Sequence, residues 1–354
     1  MPSSARPFPP ARALARSSAL PIARRLAEAV VLVWAVATLL FVLVHAAPGD
    51  PAAFLVAPGA SAADVARLRS ELGLDRPIAA QYVRWTARLL HGDLGESFAQ
   101  RRPVARVLGE ALPASVALGL GSLALSYVVG LAVGTWQAAL QARGTRGGRR
   151  ADAALTTLTT VAYAAPSYWL GLGLIAAATA GAARWGVPPA WRLPSFGASD
   201  PAGLTHGMAA ISDRVRHAIL PLFVLTAVGA AGVARYARAA VGEVLAGDFV
   251  RTARAKGLAP AAVYGLHALR AALPPLVVLF ALALPGVVAG SVFVESVFAW
   301  PGVGRVVVQA INGRDYPVVL GAALLYAVAT VAANLAADLL LPVVDPRRRG
   351  APGD

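Results

Sequence analysis

The sequence has no cysteine and only one lysine, Lys256. The absence of cysteine excludes disulfide bonds, thiolate catalysis, cysteine-ligated zinc and iron–sulfur clusters. The chain also lacks the G-x-x-x-x-G-K-[ST] loop that cradles nucleotide phosphates, so it has no such site for hydrolysing nucleotides itself. Its five histidines are scattered, with no H-x-x-x-H pair. We therefore predict neither a metal site nor a catalytic site.

Charge is scarce and apolar residues abound. Charged residues make up 14% of the 354 residues, hydrophobic residues make up 57%, and the mean hydropathy is +0.62. These values indicate a membrane protein. The net charge of +14 could suggest a nucleic-acid partner, but most of it is arginine that flanks apolar stretches. That distribution is typical of the cytoplasmic face of a membrane protein, so we expect contact with the lipid bilayer and not with nucleic acid.

Six apolar stretches are long enough to cross a bilayer. They lie at about residues 26–47, 113–140, 153–182, 218–235, 273–294 and 318–341. The sequence therefore predicts an all-α polytopic membrane protein with six transmembrane helices, whose core is residues 113–342. The short loop with Arg143, Arg146, Arg149 and Arg150 is opposed only by Asp152, which favours a cytoplasmic position for both termini.

Three polar regions flank or separate these spans. Residues 1–25 and 343–354 are predicted to be cytoplasmic tails, the first of them disordered. Residues 48–112 are mixed in charge and predict an extramembrane subdomain with amphipathic helices at 62–72 and 81–90. On composition alone, this subdomain is a link between the first two spans.

The basic segment 248–274 lies between two spans. Gly257 and Pro260 predict the end of one helix and the start of another. In the second helix, Val263, Leu266 and Leu269 fall on one face at helical spacing. Two interpretations stay open: the segment lies on the lipid headgroups, or this apolar face docks on another protein.

The middles of the last five spans contain no Asp, Glu, Lys, Arg or His. Carriers coupled to protons or ions usually have such residues along their pathway, although a sodium site made of carbonyls and hydroxyls would not show here. Candidate residues for a pathway are Tyr163, Ser167, Tyr168 and Ser291, with Pro166 able to kink the third span. Helix packing explains such residues equally well, and we favour packing for the threonines of residues 156–160.

Five separated motifs resemble one protein family. The run RTARAKG at 251–257, with Leu-Pro at 273–274, resembles the EAA loop of ABC-importer permeases of the dipeptide/oligopeptide/nickel group. Similar to that family are also LGLDRP (72–77) with HGDLGESF (91–98), ESVFAWPGVG (295–304), RDYP (314–317) and the end of the last span with DPR (345–347). The resemblance covers roughly residues 22–349.

The resemblance implies a type I ABC importer permease with a periplasmic subdomain between the first two helices. Such a permease moves peptides or related small solutes, such as nickel chelates, across the inner membrane by alternating access. It is not an enzyme and binds no cofactor, because ATP and Mg²⁺ belong to two partner ATP-binding subunits. The other implied partners are a second homologous permease and a periplasmic substrate-binding protein. An ATP-independent channel or a sodium-coupled carrier remains the alternative, and no polar cluster suggests a membrane enzyme.

The resemblance also assigns roles to residues. In that family the EAA loop forms the coupling helix that fits the ATPase. The positions implied here are Arg251, Thr252, Ala253, Ala255, Lys256, Gly257, Leu258, Val263 and Leu266. Arg251 stands where the general pattern has an acid, and Ala259 stands where many relatives place a capping serine, a loss of about 1 kcal/mol. Contact with the binding protein is implied for Leu74, Asp75, Asp93, Leu94 and Gly95.

Overall fold

A computed structural model describes residues 11–46, 61–71, 73–200, 207–260, 262–289 and 291–344. Within these ranges, the side chains of residues 11–23, 44, 249, 251, 254, 266, 288–289 and 337–344 are not described. The helices in chain order are α1 (Ala11–Ala46), α2 (Ala62–Glu71), α3 (Ile78–Leu90), α4 (Val104–Ala142), α5 (Arg146–Ala164), α6 (Ser167–Arg184), α7 (Gly207–Leu245), α8 (Asp248–Ala255), α9 (Leu269–Ala289), α10 (Val292–Val297), α11 (Val303–Asn312) and α12 (Tyr316–Val344). A π-helical turn, Ala177–Gly181, lies within α6, and a second, Ala262–Ala268, leads into α9.

Apolar length identifies the membrane spans. Five helical segments of the described ranges are long and apolar enough to cross a membrane, and the bent pair of α5 and α6 makes a sixth. Apart from one isolated bridge between Glu96 and Pro103, the described residues form no β-structure. The predicted all-α class is confirmed, and the described helices provide the six predicted spans when the bent pair is counted as one span.

The third span is broken and not merely kinked. Helices α5 and α6 meet at an angle of 99°. Ala165, which precedes Pro166, has extended backbone angles of φ −70° and ψ 129°. A residue before proline is disfavoured in the helical region, so the helix ends there and a new one begins after Pro166.

Two helices begin earlier in the chain than their apolar stretches suggest. Helix α1 begins at Ala11, so residues 11–25 of the predicted disordered tail are helical, in keeping with the high helix propensity of alanine, leucine and arginine. Helix α4 begins at Val104 and runs through Pro113, so the subdomain ends about nine residues before residue 112. The reason is tertiary: Val104 and Leu108 are buried against α11 and α12, which extends the helix beyond its apolar span.

Close packing of α4 on α7 forms the centre of the bundle. A Cβ atom on Gly130 would lie 2.6 Å from the Cβ of Val233, and one on Gly134 would lie 2.7 Å from the Cβ of Ala237. The spacing Gly-x-x-x-Gly on α4 thus lets the two backbones approach, as small residues do between membrane helices.

The subdomain is tied to the first span through α3. The hydroxyl oxygen of Tyr82 lies 2.7 Å from Thr38 Oγ1 and accepts a hydrogen bond from Trp34 Nε1 at 2.9 Å. The ring of His45 lies within 3.1 Å of Gln81 Oε1. Helix α3 therefore packs along the second half of α1.

The bundle has two ends that differ in chemistry. At one end, Ala138, Val241 and Ala268 form a small apolar cluster near the α4–α5 and α7–α9 connections. We call it the α8 end. At the other end lie two fully buried carboxylates, Glu295 and Asp315, and we call it the carboxylate end.

Candidate functional site

The α8 end presents a short helix followed by a turn. Helix α8 ends at Ala255, and Gly257 adopts a left-handed φ of 75°. Helical structure resumes at Ala262, so the predicted helix stop and restart are confirmed. Because no atom would lie within 4 Å of a Cβ on Gly257, glycine is needed there for its backbone angle and not for space.

Helix α8 packs against the end of α7 and the π-helical turn through one apolar face. Val250, Ala253 and Val263 form a buried cluster, supported by Val244 and Leu245. The opposite surface of this segment is exposed, and its members are Thr252, Ala255, Lys256, Gly257 and Leu258. We call these five residues the α8 surface. The side chains of Arg251 and Leu266 lie outside the described residues.

The apolar face predicted after Pro260 is arranged differently from the prediction. Val263 is only 1% exposed and faces α8, so it cannot offer its side chain to another protein. Among the side chains that the structure describes, Ala268, Ala272 and Leu276 are also buried further along the segment. The segment Ala262–Ala268 is a π-helical turn, whereas the prediction assumed α-helical spacing throughout.

A bidentate ion pair fixes the bundle next to α8. Arg238 on α7 donates from Nε and Nη2 to both carboxylate oxygens of Asp152 on α5, at 2.9 and 2.7 Å. Asp152 is mostly buried, and Arg238 is partly exposed. Charged hydrogen bonds of this geometry are among the stronger ones in proteins.

A cleft of about 460 Å³ lies between α4, α5, α7 and α9. Hydroxyl groups supply most of its polarity, and they belong to Ser115, Ser122, Ser126, Tyr127, Tyr163, Tyr236 and Ser291. Glycines and small apolar residues form much of the remaining wall, including Gly119, Gly229, Gly232, Ala283 and Gly286. Among the described residues that line the cleft, Glu295 is the one with a charged side chain.

The predicted pathway residues divide into two pairs. Tyr163 and Ser291 line the cleft. Ser167 and Tyr168 are not in its lining, and the Tyr168 ring instead lies 6.0 Å from the ring of Phe293. The break at Pro166 explains the division, because it turns α6 away from the axis of α5.

The threonines of α5 form hydrogen bonds within the helix bundle. Thr157 and Thr159 donate to main-chain carbonyls of their own helix. Thr156 accepts a hydrogen bond from the buried Gln137 on α4 at 3.1 Å. These contacts agree with the packing interpretation of residues 156–160.

Sequence reasoning missed the serine face of α4. Ser115, Gly119, Ser122 and Ser126 follow one another at spacings of four, three and four residues, which places them on one helix face. A count of small and hydroxyl residues at helical spacing could have found this face. That it lines a cleft follows only from the positions of three other helices.

Glu295 holds the chain that re-enters the bundle after α9. It is fully buried and accepts hydrogen bonds from Ser115 Oγ at 2.8 Å and from the Gly304 main-chain N–H at 2.7 Å. Ser115 Oγ in turn accepts from the N–H of Val303 at 2.8 Å. Burial raises the pKa of the Glu295 carboxyl, and these hydrogen bonds, with one from Arg305 N–H, oppose that rise.

Asp315 holds the last loop of the subdomain by accepting hydrogen bonds, as Glu295 does for the segment after α9. Its carboxylate accepts from Ser97 Oγ at 2.5 Å and from the main-chain N–H groups of Phe98 and Ala99 at 3.0 and 3.1 Å. The loop before α4 is therefore fixed to the start of α12.

The five residues predicted to contact a binding protein differ in their exposure to solvent. Asp75 and Asp93 are exposed, and Leu74 is half-buried. Leu94 packs against the cluster of α4, α11 and α12, and the Gly95 carbonyl accepts from the Val104 N–H at 2.9 Å. The side chain of Leu94 and the carbonyl of Gly95 therefore hold their own loop.

In the described part of the chain, no group of three or more histidine, aspartate or glutamate side chains is placed to hold a metal ion.

Comparison with known proteins gives two family matches. Residues 126–350 match the family described as binding-protein-dependent transport system inner membrane component, and residues 20–119 match the N-terminal part of such membrane components. The chain is 35% identical over 327 residues to the oligopeptide transport system permease protein AppB of Bacillus subtilis, covering 92% of this chain and 98% of that one. It is also 35% identical to the di/tripeptide permease protein DppB of Pseudomonas aeruginosa over 339 residues and to the dipeptide permease protein DppB of Escherichia coli over 341 residues. Each alignment covers 93% of this chain and 98% of the relative.

Proposed function

The chain belongs to the family of binding-protein-dependent transport system inner membrane components, and from this membership we propose that it forms half of the path of an ATP-driven peptide importer. The substrates proposed are di- and oligopeptides or solutes of similar size. The permeases AppB and DppB, named for oligopeptides, di/tripeptides and dipeptides, support this choice of substrate class.

One observation carries the proposal: a single helix joins the α8 surface to the cleft. The π-helical turn that contacts α8 through Val263 continues directly into α9. Further along, α9 lines the cleft with Leu279, Ala283 and Gly286. A displacement of α8 therefore reaches the wall of the cleft through the contact with Val263 and then along α9.

The α8 surface docks on one of two ATP-binding subunits, which hold ATP and Mg²⁺. Thr252, Ala255, Lys256 and Leu258 supply the contact, with Gly257 setting the turn. The side chains of Ala253 and Val263 support the surface from beneath, and Arg251 and Leu266 belong to the same coupling segment. Closure of the ATPases moves α9 against α4 and opens the cleft alternately to either side of the membrane.

The remaining partners follow from the same scheme. A second homologous permease faces the open side of the cleft. A substrate-binding protein meets the carboxylate end, where Asp75 and Asp93 offer exposed acids. This arrangement places the α8 end and both termini in the cytoplasm, in agreement with the arginines of residues 143–150.

Uptake in right-side-out membrane vesicles tests the function. The vesicles come from cells that contain the chain with its partner subunits, are loaded with ATP and Mg²⁺, and receive labelled di- and tripeptides together with the binding protein. We expect accumulation that requires hydrolysable ATP and is absent from vesicles without the chain. Accumulation without ATP would support a channel, and accumulation driven by a sodium gradient would support a carrier; either result contradicts the proposal.

A further inference from the structure

We propose that Arg235, which stacks on a lining residue at the edge of the cleft, binds the carboxylate group of the solute that passes through the cleft. The inference rests on the proposed function for the identity of the solute, a peptide with a free C-terminus. The positively charged site itself follows from the contacts of Arg235 and from the walls of the cleft.

The guanidinium group of Arg235 is not itself part of the cleft lining, but it stacks on a residue that is. Its Cζ atom is 4.8 Å from the ring centroid of Tyr163, which lines the cleft on α5. Gly232, one turn before Arg235 on α7, also lines the cleft, and a Cβ there would meet the Tyr163 ring at 3.4 Å. Side chains on a helix lean toward its N-terminus, so Arg235 reaches back toward Gly232 and away from the α8 end.

The charge of Arg235 is not neutralised by the described part of the chain. Within those residues its one specific contact is the stacking on Tyr163, whereas Arg238, one turn further on, is fully engaged with Asp152. A stacked guanidinium keeps its N–H groups available at the edge, where two of them match the two oxygens of a carboxylate.

The cleft has no acid that competes for Arg235. Glu295 is the one acidic residue in its lining, and its oxygens accept from Ser115, Gly304 and Arg305. The hydroxyls of Tyr163 and Tyr236 lie on the arginine side of the cleft and can donate to the same anion. The combination suits a carboxylate better than an ammonium group.

Because the chain has no cysteine, one introduced thiol can report on this charge. Tyr236 lines the cleft next to Arg235 in sequence, so a Tyr236→Cys variant places the thiol at the site. The rate at which this thiol is labelled in native membranes is measured with two methanethiosulfonates of similar size. One reagent carries a sulfonate group and the other a trimethylammonium group. We expect the anionic reagent to be favoured, and Arg235→Gln to reduce the ratio of rates by about 25-fold. A unit charge about 4 Å away in water speeds the anionic reagent and slows the cationic one by about fivefold each. Arg235→Lys, which keeps the charge, retains the preference.

The ligand is tested in the same variant with trialanine and its C-terminal amide. Trialanine slows the labelling and the amide does not, and Arg235→Gln removes this difference. Equal protection by both peptides, or a rate ratio unchanged by Arg235→Gln, overturns the proposal. Because the wild-type arginine is present in the peptide comparison, that arm stays decisive even if Arg235→Gln does not fold.

Two other anions could neutralise Arg235: a lipid phosphate and an acidic side chain of a partner subunit. Changing the lipid tests the first, and comparing the complex with the isolated chain tests the second. If the preference for the anionic reagent changes when the purified complex is moved from zwitterionic to phosphatidylglycerol liposomes, and trialanine gives no protection, a lipid phosphate occupies the site and the proposal fails. If no preference exists in the complex but one appears in the isolated chain, a partner's acid neutralises Arg235 and the proposal also fails. ATP-dependent uptake of trialanine by wild-type vesicles is scored separately, so a failed site and a failed transport function give different results.

Discussion

The two ends of the bundle are held by different forces. At the carboxylate end, Glu295 and Asp315 are fully buried. Glu295 accepts a hydrogen bond from Ser115 on α4, 180 residues away in sequence, and Asp315 accepts one from the loop at Phe98, 217 residues away. At the α8 end, Val250, Ala253 and Val263 hold α8 by apolar contact. Hydrogen bonds to a buried carboxylate are directional, whereas apolar contacts are not. The comparison indicates a fixed end and an end at which α8 can tilt while it stays packed.

This difference suits a machine driven from one side. Under the proposed function, the α8 surface follows a partner, and the loops of the carboxylate end keep their shape while the cleft opens and closes. The Asp152–Arg238 pair combines features of both ends, because it is a directional charged contact that ties α5 to α7 at the α8 end. The predictions below test the contrast, beginning with the largest effect.

The largest effect is expected for Asp315→Ala. The change leaves Ser97 Oγ and the N–H groups of Phe98 and Ala99 without their acceptor, at a cost of about 3 kcal/mol or more. Thermal unfolding of the purified protein in detergent, followed by loss of the monodisperse peak, measures it. Glu96→Ala, an exposed acid of the same loop, is the control and should behave as wild type. Equal stability of the two variants would remove the basis for calling this end fixed.

A smaller effect is expected where α4 meets α7. Gly134→Ala places a methyl group 2.9 Å from the main-chain nitrogen of Arg238, so the helices must separate, at a cost of about 1–3 kcal/mol. Gly109→Ala on the same helix adds a methyl group into open space and serves as the matched control. The same thermal assay measures both variants. If Gly134→Ala is as stable as Gly109→Ala, the close approach of α4 and α7 does not determine the packing of the bundle.

The smallest effect is expected for the ion pair of the α8 end. A double-mutant cycle with Asp152→Ala and Arg238→Ala should give a coupling energy of about 1 kcal/mol, since Arg238 is partly exposed to solvent. Stability of the four proteins in the same detergent supplies the cycle. A coupling energy as large as the loss in Asp315→Ala would show that both ends are equally fixed.

The membrane helices could be predicted because hydropathy reports them directly. All six apolar stretches have a counterpart among the described helices, and Pro166 marks the discontinuity of the third. Residues 11–25 and the start of α4 could not be placed, because helix propensity and contacts with α11 and α12 extend those helices beyond their apolar parts. Hydropathy gives the span but not the ends of the helix.

The candidate site could be predicted only in part. The turn at Gly257 follows from local chemistry, so its sequence was sufficient. We predicted that Val263 lies on a docking face because we assumed α-helical spacing. The segment is instead a π-helical turn, and Val263 is buried. Glu295 and Asp315 resemble ordinary acids near span ends in the sequence, and their partners are too distant in the chain to be found from one sequence alone.

The central claim is that the α8 surface docks an ATP-hydrolysing partner, and co-purification in mild detergent tests it most directly. The comparison uses wild type, Gly257→Asp and Gly144→Asp. Both glycines have a left-handed φ, 75° and 66°, and open space around a Cβ, so the two changes carry the same backbone strain and charge. The account predicts that an ATP-binding subunit accompanies wild type and Gly144→Asp but is lost from Gly257→Asp. No nucleotide-binding partner with wild type, or equal retention by both variants, would contradict it.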